Sequence, residues 1–523
     1  GRPRLAVHVH ELIARPDVSA VSLAIADVVA PRGPWAVDDL VEAAVERLAP
    51  VYELAADLAT RLTLQVHEHR DLAVAIEVLD RVLDRPGLAG VDAGITLPAS
   101  LPESIAAVGL LRERSARRVA EGGTSIRIRL VKGANVPLER VEAELRGWPL
   151  ATWDGRVETD AAFIRCLDLA LAAEPDAEAP ALRLGVASHN LFDLALATLL
   201  ARRRGLADAT GIEMLLGMSD PQRAAVAADA GPVLVSAPIV RPDEFDASVP
   251  YLVRRLEESA DEEHFLSRAS AFAGDPEAFA VEEARFREAL ALAADAGDEI
   301  PASPRAQDRS AGIELPSGRF ENVPDTDPAS PGNRRWAVGV LERVPGSTRG
   351  EAALAAAAVP TADGMRRVVD EAAEAGAAWG ARPAGERAAV LLDAADVLEA
   401  FRGRLIEAAA AEAGTPLPDG DVEVSAVVDS ARWSADRALQ LEQIVEARFV
   451  ADRVAVVIPS AREPIASAGR RVLAVLAAGA AAILVPAAGR SAAVLCEALH
   501  EAGVPREPRS QEVLTRFLRI RPL

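Results

Sequence analysis

The chain is nearly without cysteine, and it holds a single lysine. Two cysteines, Cys166 and Cys496, in 523 residues can build neither a disulfide framework nor a structural zinc cluster. No charged-then-apolar leader opens the chain, so a reducing cytoplasm is the expected compartment. Basic charge is also short: 57 Lys plus Arg against 79 Asp plus Glu leave a net charge of -22, which excludes a broad grip on nucleic acid or an anionic membrane. Long apolar runs are missing too. Residues 472–488 form a run of about 17, below the roughly 20 of a transmembrane helix, and Gly479 and Pro486 interrupt it. At most peripheral membrane contact is expected.

Among the basic residues only Lys132 is lysine, in a chain crowded with Ala and Arg. Where composition drifts so far toward arginine, a surviving lysine points to a role that needs a compact ammonium. The chain opens on Gly rather than Met, as a fragment or processed product would.

A chain of this length makes two or three domains of ordinary size. Between about 20 and 240, short β-rich runs alternate with Ala/Leu/Arg stretches apolar at i, i+3 and i+4. The runs are 21–29, 62–66, 94–100, 125–131, 182–188, 211–217 and 231–240. This spacing predicts an α/β fold, a (β/α)8 barrel in which seven strands are placed. The eighth is either LAVHVH at 5–10 or missing. A charged helix from Pro276 and a Pro/Ser/Asp-rich stretch follow. Helices are then expected at 361–379, 385–411, 420–445 and 470–478, with strands at 454–459 and 480–486. The expected domains are therefore 1–275, 276–335 (helix plus linker or arm) and 336–523.

Barrel catalysis occurs where strands run into their following loops. In SIRIRLVKGAN, alternation turns Arg129 into the lumen, where it needs an anionic partner such as Glu213, an electron-rich cofactor or a phosphate. Lys132 and Gly133 follow at the strand's end. VASHN places Ser188, His189 and Asn190 at the mouth, and YLVRRLEES puts Arg254 and Arg255 on a helix where one guanidinium could meet a ligand carboxylate. The HVH at 8–10 and HEH at 67–69 raise a different class, a metal-dependent barrel hydrolase drawing on His8, His10, His189 and Lys132. No aspartate at the end of the last strand completes such a site.

Together RLVKGAN, VASHN, EMLLGM, APIV and YLVRRLEE, in that order, resemble the proline dehydrogenase half of bifunctional proline utilization A. NVPDTDP, EVSAVVDSARWSADRA, LAAGAAAILVPA and EALHEAGVP are similar to the opening part of its aldehyde dehydrogenase half. The resemblance implies an FAD-containing barrel that oxidises L-proline to 1-pyrroline-5-carboxylate, or acts on a related cyclic amino acid, and passes electrons to a quinone. It implies that Arg129, Lys132, Gly133, Ala134, Arg156, Ser188, His189 and Asn190 bind FAD, with Arg129 also catalytic. Arg254 and Arg255 would hold the substrate carboxylate, and no metal is implied. A homo-oligomer is compatible with it.

Four positions depart from the family. Ala24 stands where a lysine is expected, Gln65 for an aspartate, Pro98 for a flavin-contacting glutamine and Ser236 for a tyrosine that packs on the substrate ring. A degenerate homologue that serves as a binding or scaffold protein is therefore an alternative. The resemblance also implies truncation at both ends, with a first barrel strand upstream and the aldehyde dehydrogenase's cysteine nucleophile and glutamate base beyond the chain's end. Arg462 stands for its oxyanion asparagine and Val485 for its NAD-ribose lysine. No aldehyde oxidation is expected from this remnant, and Cys496 reads as a buried apolar residue.

Overall fold

The computed structural model describes residues 9–505 apart from 31–32, 134, 173–179, 218–219, 238, 240–244, 247, 250–251, 254–264, 270, 273, 317–319, 360, 445–448 and 487–488. The chain divides into two compact units, one of residues 1–143 and 149–304, the other of residues 144–148 and 305–523.

The first unit is a curled sheet of seven parallel strands paired strictly in chain order: β1 Ala20–Ala24, β2 Arg61–Gln65, β3 Ala93–Pro98, β4 Ile126–Val131, β5 Leu182–Ala187, β6 Thr210–Leu215 and β7 Val233–Ser236. Helices return the chain between them: α1 Val37–Asp57, α2 His69–Leu83, α3 Glu103–Ala120, α4 Val136–Arg146, α5 Arg156–Ala170, α6 Leu191–Arg203 and α7 Asp220–Ala230. All seven expected strands are present among the described residues.

Two-residue alternation sorts the side chains. Leu62, Leu64, Ile95, Leu97, Ile128, Leu130, Leu184 and Val186 are buried against the helices. Each fully buried Leu or Ile stabilises the fold by about 1.5–3 kcal/mol. Thr63, Gly94, Thr96, Arg127, Arg129, Gly185 and Glu213 occupy the opposite parity and face the lumen. In α2 the apolar residues Leu72, Ala75, Leu79 and Val82 recur at helical spacing and are all buried. A further helix, α8 Pro276–Ala296, is capped by Asp275, and its Ala289 packs with Ala161 and Ile164 of α5.

Two local readings need correction. The run 21–29 is a strand only to Ala24: Asp27 accepts the Ala24 N–H at 2.7 Å, and Ile25–Val28 form a helical turn. LAVHVH is not a gap-filling strand at its described end, because Val9 and His10 are helical, in a stretch that continues through Ile13. Residues 5–8 lie outside the described residues.

The second unit contains α9 Pro331–Arg343, α10 Ala362–Gly380, α11 Ala384–Ala400, α12 Arg402–Ala413, α13 Leu417–Glu442, β8 Val454–Val457, α14 Ala466–Ala477, β9 Ala481–Leu484 and α15 Gly489–Glu501. β8 and β9 are parallel, as the α14 crossover between them requires. The single helix expected over 385–411 is broken at Phe401. The break delivers the buried Arg402 to Glu399 at 2.8 Å and to Asp421 at 2.8 Å. Arg309 adds a second guanidinium 2.6 Å from Glu399, so two buried cations meet two buried carboxylates, as burial of charge demands.

Candidate active site

Parallel strands share one direction, so Ala24, Gln65, Pro98, Val131, Ala187, Leu215 and Ser236 all end at the same rim. The register places Ala24 beside Gln65, Pro98 beside Val131 and Leu215 beside Ser236. The four family departures therefore lie on the rim that carries the retained groups. Gln65 is already engaged, accepting from Thr96 Oγ1 at 3.1 Å.

Below the rim, β4 sends two arginines into the lumen toward one carboxylate. Arg129 Nε donates to Glu213 Oε2 at 2.8 Å, and Arg127 Nη2 lies 3.6 Å from Glu213 Oε1. Glu213 is 4% exposed. Burial first, and then Arg61, push the Arg127 guanidinium down from its ordinary value. Two guanidiniums on one carboxylate leave a net positive charge in this layer, which suits an electron-rich ligand at the rim.

Lys132 lies on the other face. One residue beyond β4, its parity is that of Ile128 and Leu130, and its ammonium sits 2.6 Å from Asp160 Oδ1 of α5 and 2.8 Å from Asp193 Oδ2 of α6. Asp193 and Asp160 hold the Lys132 ammonium above its ordinary value against the opposing effect of burial, which is the largest single influence. Burial raises Asp193, with Lys132 opposing it. The ammonium expected at a flavin is thus engaged as a brace between two helices, because a buried carboxylate pair needs a cation.

Gly133 has φ +137°, a backbone conformation L side chains rarely adopt, and a Cβ there would strike Ser100 Oγ. Ser100 N–H donates to the Lys132 carbonyl at 2.7 Å, closing the β3 and β4 ends against each other. On β5's loop, Ser188 Oγ donates to Asp193 at 3.0 Å and accepts from the Asn190 N–H at 3.0 Å. Asn190 caps α6 by accepting from Phe192 N–H. His189 Nε2 accepts the Leu215 N–H at 3.0 Å, which places the proton of a neutral ring on Nδ1. Arg156 is the first residue of α5 and half-buried. Ala134, Arg254 and Arg255 lie outside the described residues.

Sequence reasoning brought Arg129, Gly133, Ser188, His189 and Asn190 to one end of the sheet. It missed Asp160, Asp193 and the role of Arg127. Counting on by two from Ile128 and Leu130 would have turned Lys132 toward the helices.

The HEH reading does not hold. Glu68 precedes α2 and His69 is its first residue, so these histidines are not paired on a strand, and His69 Nε2 lies 3.1 Å from Glu103. Among the described residues no three His, Cys, Asp or Glu side chains are grouped to hold a metal ion. His8 lies outside the described residues.

In the second unit Cys496 is buried on α15. Val485 follows β9 and donates its N–H to Val457. Arg462 is exposed, in the turn after β8. No described helix is long and apolar enough to cross a membrane.

With this geometry in hand, the proline dehydrogenase family profile matches residues 3–268. The chain belongs to the proline dehydrogenase family. Residues 347–508 match the aldehyde dehydrogenase family. A hydroxyproline dehydrogenase of Homo sapiens is 30% identical over 223 residues, 42% of this chain and 46% of that protein. The structure of proline utilization A from Corynebacterium freiburgense is 34% identical with a TM-score of 0.80, over 97% of this chain and 48% of that one. Proline utilization A from Bdellovibrio bacteriovorus inactivated by N-propargylglycine shares the fold, at 22% identity and a TM-score of 0.79, over 97% of this chain and 56% of that one. The chain thus spans about half the length of the relatives it matches, and it is similar to proline utilization A through both of its units.

Proposed function

We propose that the barrel is an FAD-dependent dehydrogenase that takes L-proline to 1-pyrroline-5-carboxylate, or a related cyclic amino acid to the corresponding cyclic imine. The observation that carries this reading is the lumen pair Arg129–Glu213, with a second cation, Arg127, on the same carboxylate. Bound FAD would supply the acceptor for the substrate's hydride, and a quinone would later take the electrons. The residues fit such a group: the surplus positive charge complements the charge that a flavin gains on reduction.

In this reading Arg129 is the cation directed at the flavin, and Glu213 orients it through Nε, leaving its remaining N–H donors for the ligand. Gly133 lets the backbone approach closely. Ser188, His189 and Asn190 shape the adjoining loop, and Arg156 serves the adenosine end. Lys132 contributes by fixing α5 and α6 behind the site. Arg254 and Arg255 hold the substrate carboxylate, as the resemblance implies. The setting is a cytoplasmic protein with at most peripheral membrane contact.

The replacements at Ala24, Gln65, Pro98 and Ser236 each remove a charge, a hydrogen bond or a stacking surface. Together they withdraw several kcal/mol of transition-state stabilisation. Slow turnover relative to the family is the consequence. The second unit, with Arg462 and Val485 at the positions of an oxyanion donor and a ribose ligand, oxidises no aldehyde in this reading.

The visible spectrum of the purified protein, before and after anaerobic addition of L-proline or 4-hydroxy-L-proline, tests the proposal. A flavin band that bleaches supports it. A band that persists leaves a flavoprotein without this activity. No band, even after FAD is added, overturns it in favour of a degenerate binding homologue.

A further inference from the structure

Arg127 is a buried cation to which the proposed chemistry assigns only its charge, and the sheet has been hollowed to admit it. Two glycines, on β5 and β6, line its path. A Cβ at Gly185 would meet Glu213 and lie 3.1 Å from Arg127 Nε. At Gly211 a Cβ would stand 2.7 Å from Arg127 Nη2, with nothing else within 4 Å but the same guanidinium. Nearby Asp92 is already taken by Arg61 at 3.0 Å and Arg183 at 2.8 Å. Glu213 is therefore the carboxylate that faces Arg127, and its other oxygen is the one that accepts from Arg129.

We propose that Arg127 is a positioning residue: seated in the space left by Gly185 and Gly211, it draws one oxygen of Glu213 so that the other fixes the direction of the Arg129 guanidinium toward the ligand. The inference rests on the flavin reading, in which Arg129 meets the cofactor. A carboxylate hydrogen-bonded at one oxygen alone can rotate about its last torsion, whereas an ion pair on the second oxygen, here at 3.6 Å, restrains that rotation. Loss of Arg127 thus loosens Arg129 without removing it.

The test uses Arg127→Met, Arg129→Met, Gly211→Ala and their pairwise combinations in the full chain. In flavin-free protein the unfolding midpoints of Arg127→Met and Arg129→Met should be non-additive, and Glu213→Gln should abolish that coupling. Gly211→Ala should act in the wild-type background and be silent beside Arg127→Met, since its methyl meets Arg127 alone. In FAD-loaded protein, Arg127→Met and the milder Gly211→Ala should each slow flavin reduction by substrate about tenfold to a hundredfold, as expected for a misplaced catalytic group. Additive midpoints, or unchanged reduction in both variants, would overturn the inference. Wild-type protein that takes up no FAD would instead defeat the functional reading, while the flavin-free cycle still decides whether Arg127 acts on Arg129 through Glu213.

Discussion

The ammonium of Lys132 lies between the carboxylates of Asp160 and Asp193, 2.6 Å from one and 2.8 Å from the other. Its removal leaves two buried acids facing each other. Lys132→Met is expected to destabilise the first unit by about 3–5 kcal/mol, the loss seen when one partner of a buried ion pair is deleted. Lys132→Arg should recover little, because a planar fork does not fill a seat shaped for a compact ammonium. Chemical denaturation of the three proteins decides this; a Met variant as stable as wild type would remove the brace.

Ala24 and Gln65 are register neighbours at the rim. Introducing Ala24→Lys together with Gln65→Asp would restore adjacent opposite charges at positions where the family resemblance expects them. On the proposed function, kcat/KM with L-proline should rise at least about tenfold, or 1.4 kcal/mol of transition-state stabilisation. Steady-state kinetics with a quinone acceptor measures it, and an unchanged value would show that these exchanges do not limit turnover.

Burial pushes the Asp429 carboxyl up to about 6, against the Val323 N–H that donates to it at 2.8 Å. A carboxyl raised in the folded state stabilises fold over unfolded chain most fully below its unfolded value of 3.8, and that contribution is lost as pH rises through about 6. Asp429→Asn should accordingly gain on wild type between about pH 4 and pH 7, with the larger advantage at the higher pH. Urea midpoints across that range check the sign, and a difference independent of pH would refute it.

In the second unit Gly376 of α10 touches strand backbone. A Cβ there would collide with the Arg453 carbonyl and lie 2.8 Å from the Ala481 N. Both atoms belong to the hydrogen bond that enters the β8–β9 ladder. Gly376→Ala is expected to cost about 1–3 kcal/mol, because main chain yields less readily than a side-chain tip. Thermal unfolding reports it, and no change in the midpoint would mean that the helix shifts freely.

How far the letters carried the fold is clearest in β4. Ile126, Ile128 and Leu130 announce a strand, and the same alternation turns Arg129 inward, so element and site residue were legible together. Lys132 was not, because its role depends on two aspartates about 30 and 60 residues further along the chain. Ile25–Val28 carry strand-like residues yet turn helical, since one side chain, Asp27, captures the backbone N–H of Ala24 and outweighs propensity. Gly211 gave no signal either. A glycine in a strand reads as weakness until the guanidinium that needs its missing methyl is known.

The strictly sequential pairing of the seven strands also bears on how the molecule is made. During synthesis each strand leaves the ribosome after its neighbour has already emerged, and the helix between them supplies the apolar cover. Growth is therefore by accretion at one advancing edge. Apart from the outer edge of β1, exposure to wrong partners is limited to the latest strand added, which spares a long nascent chain the wait for a distant complement.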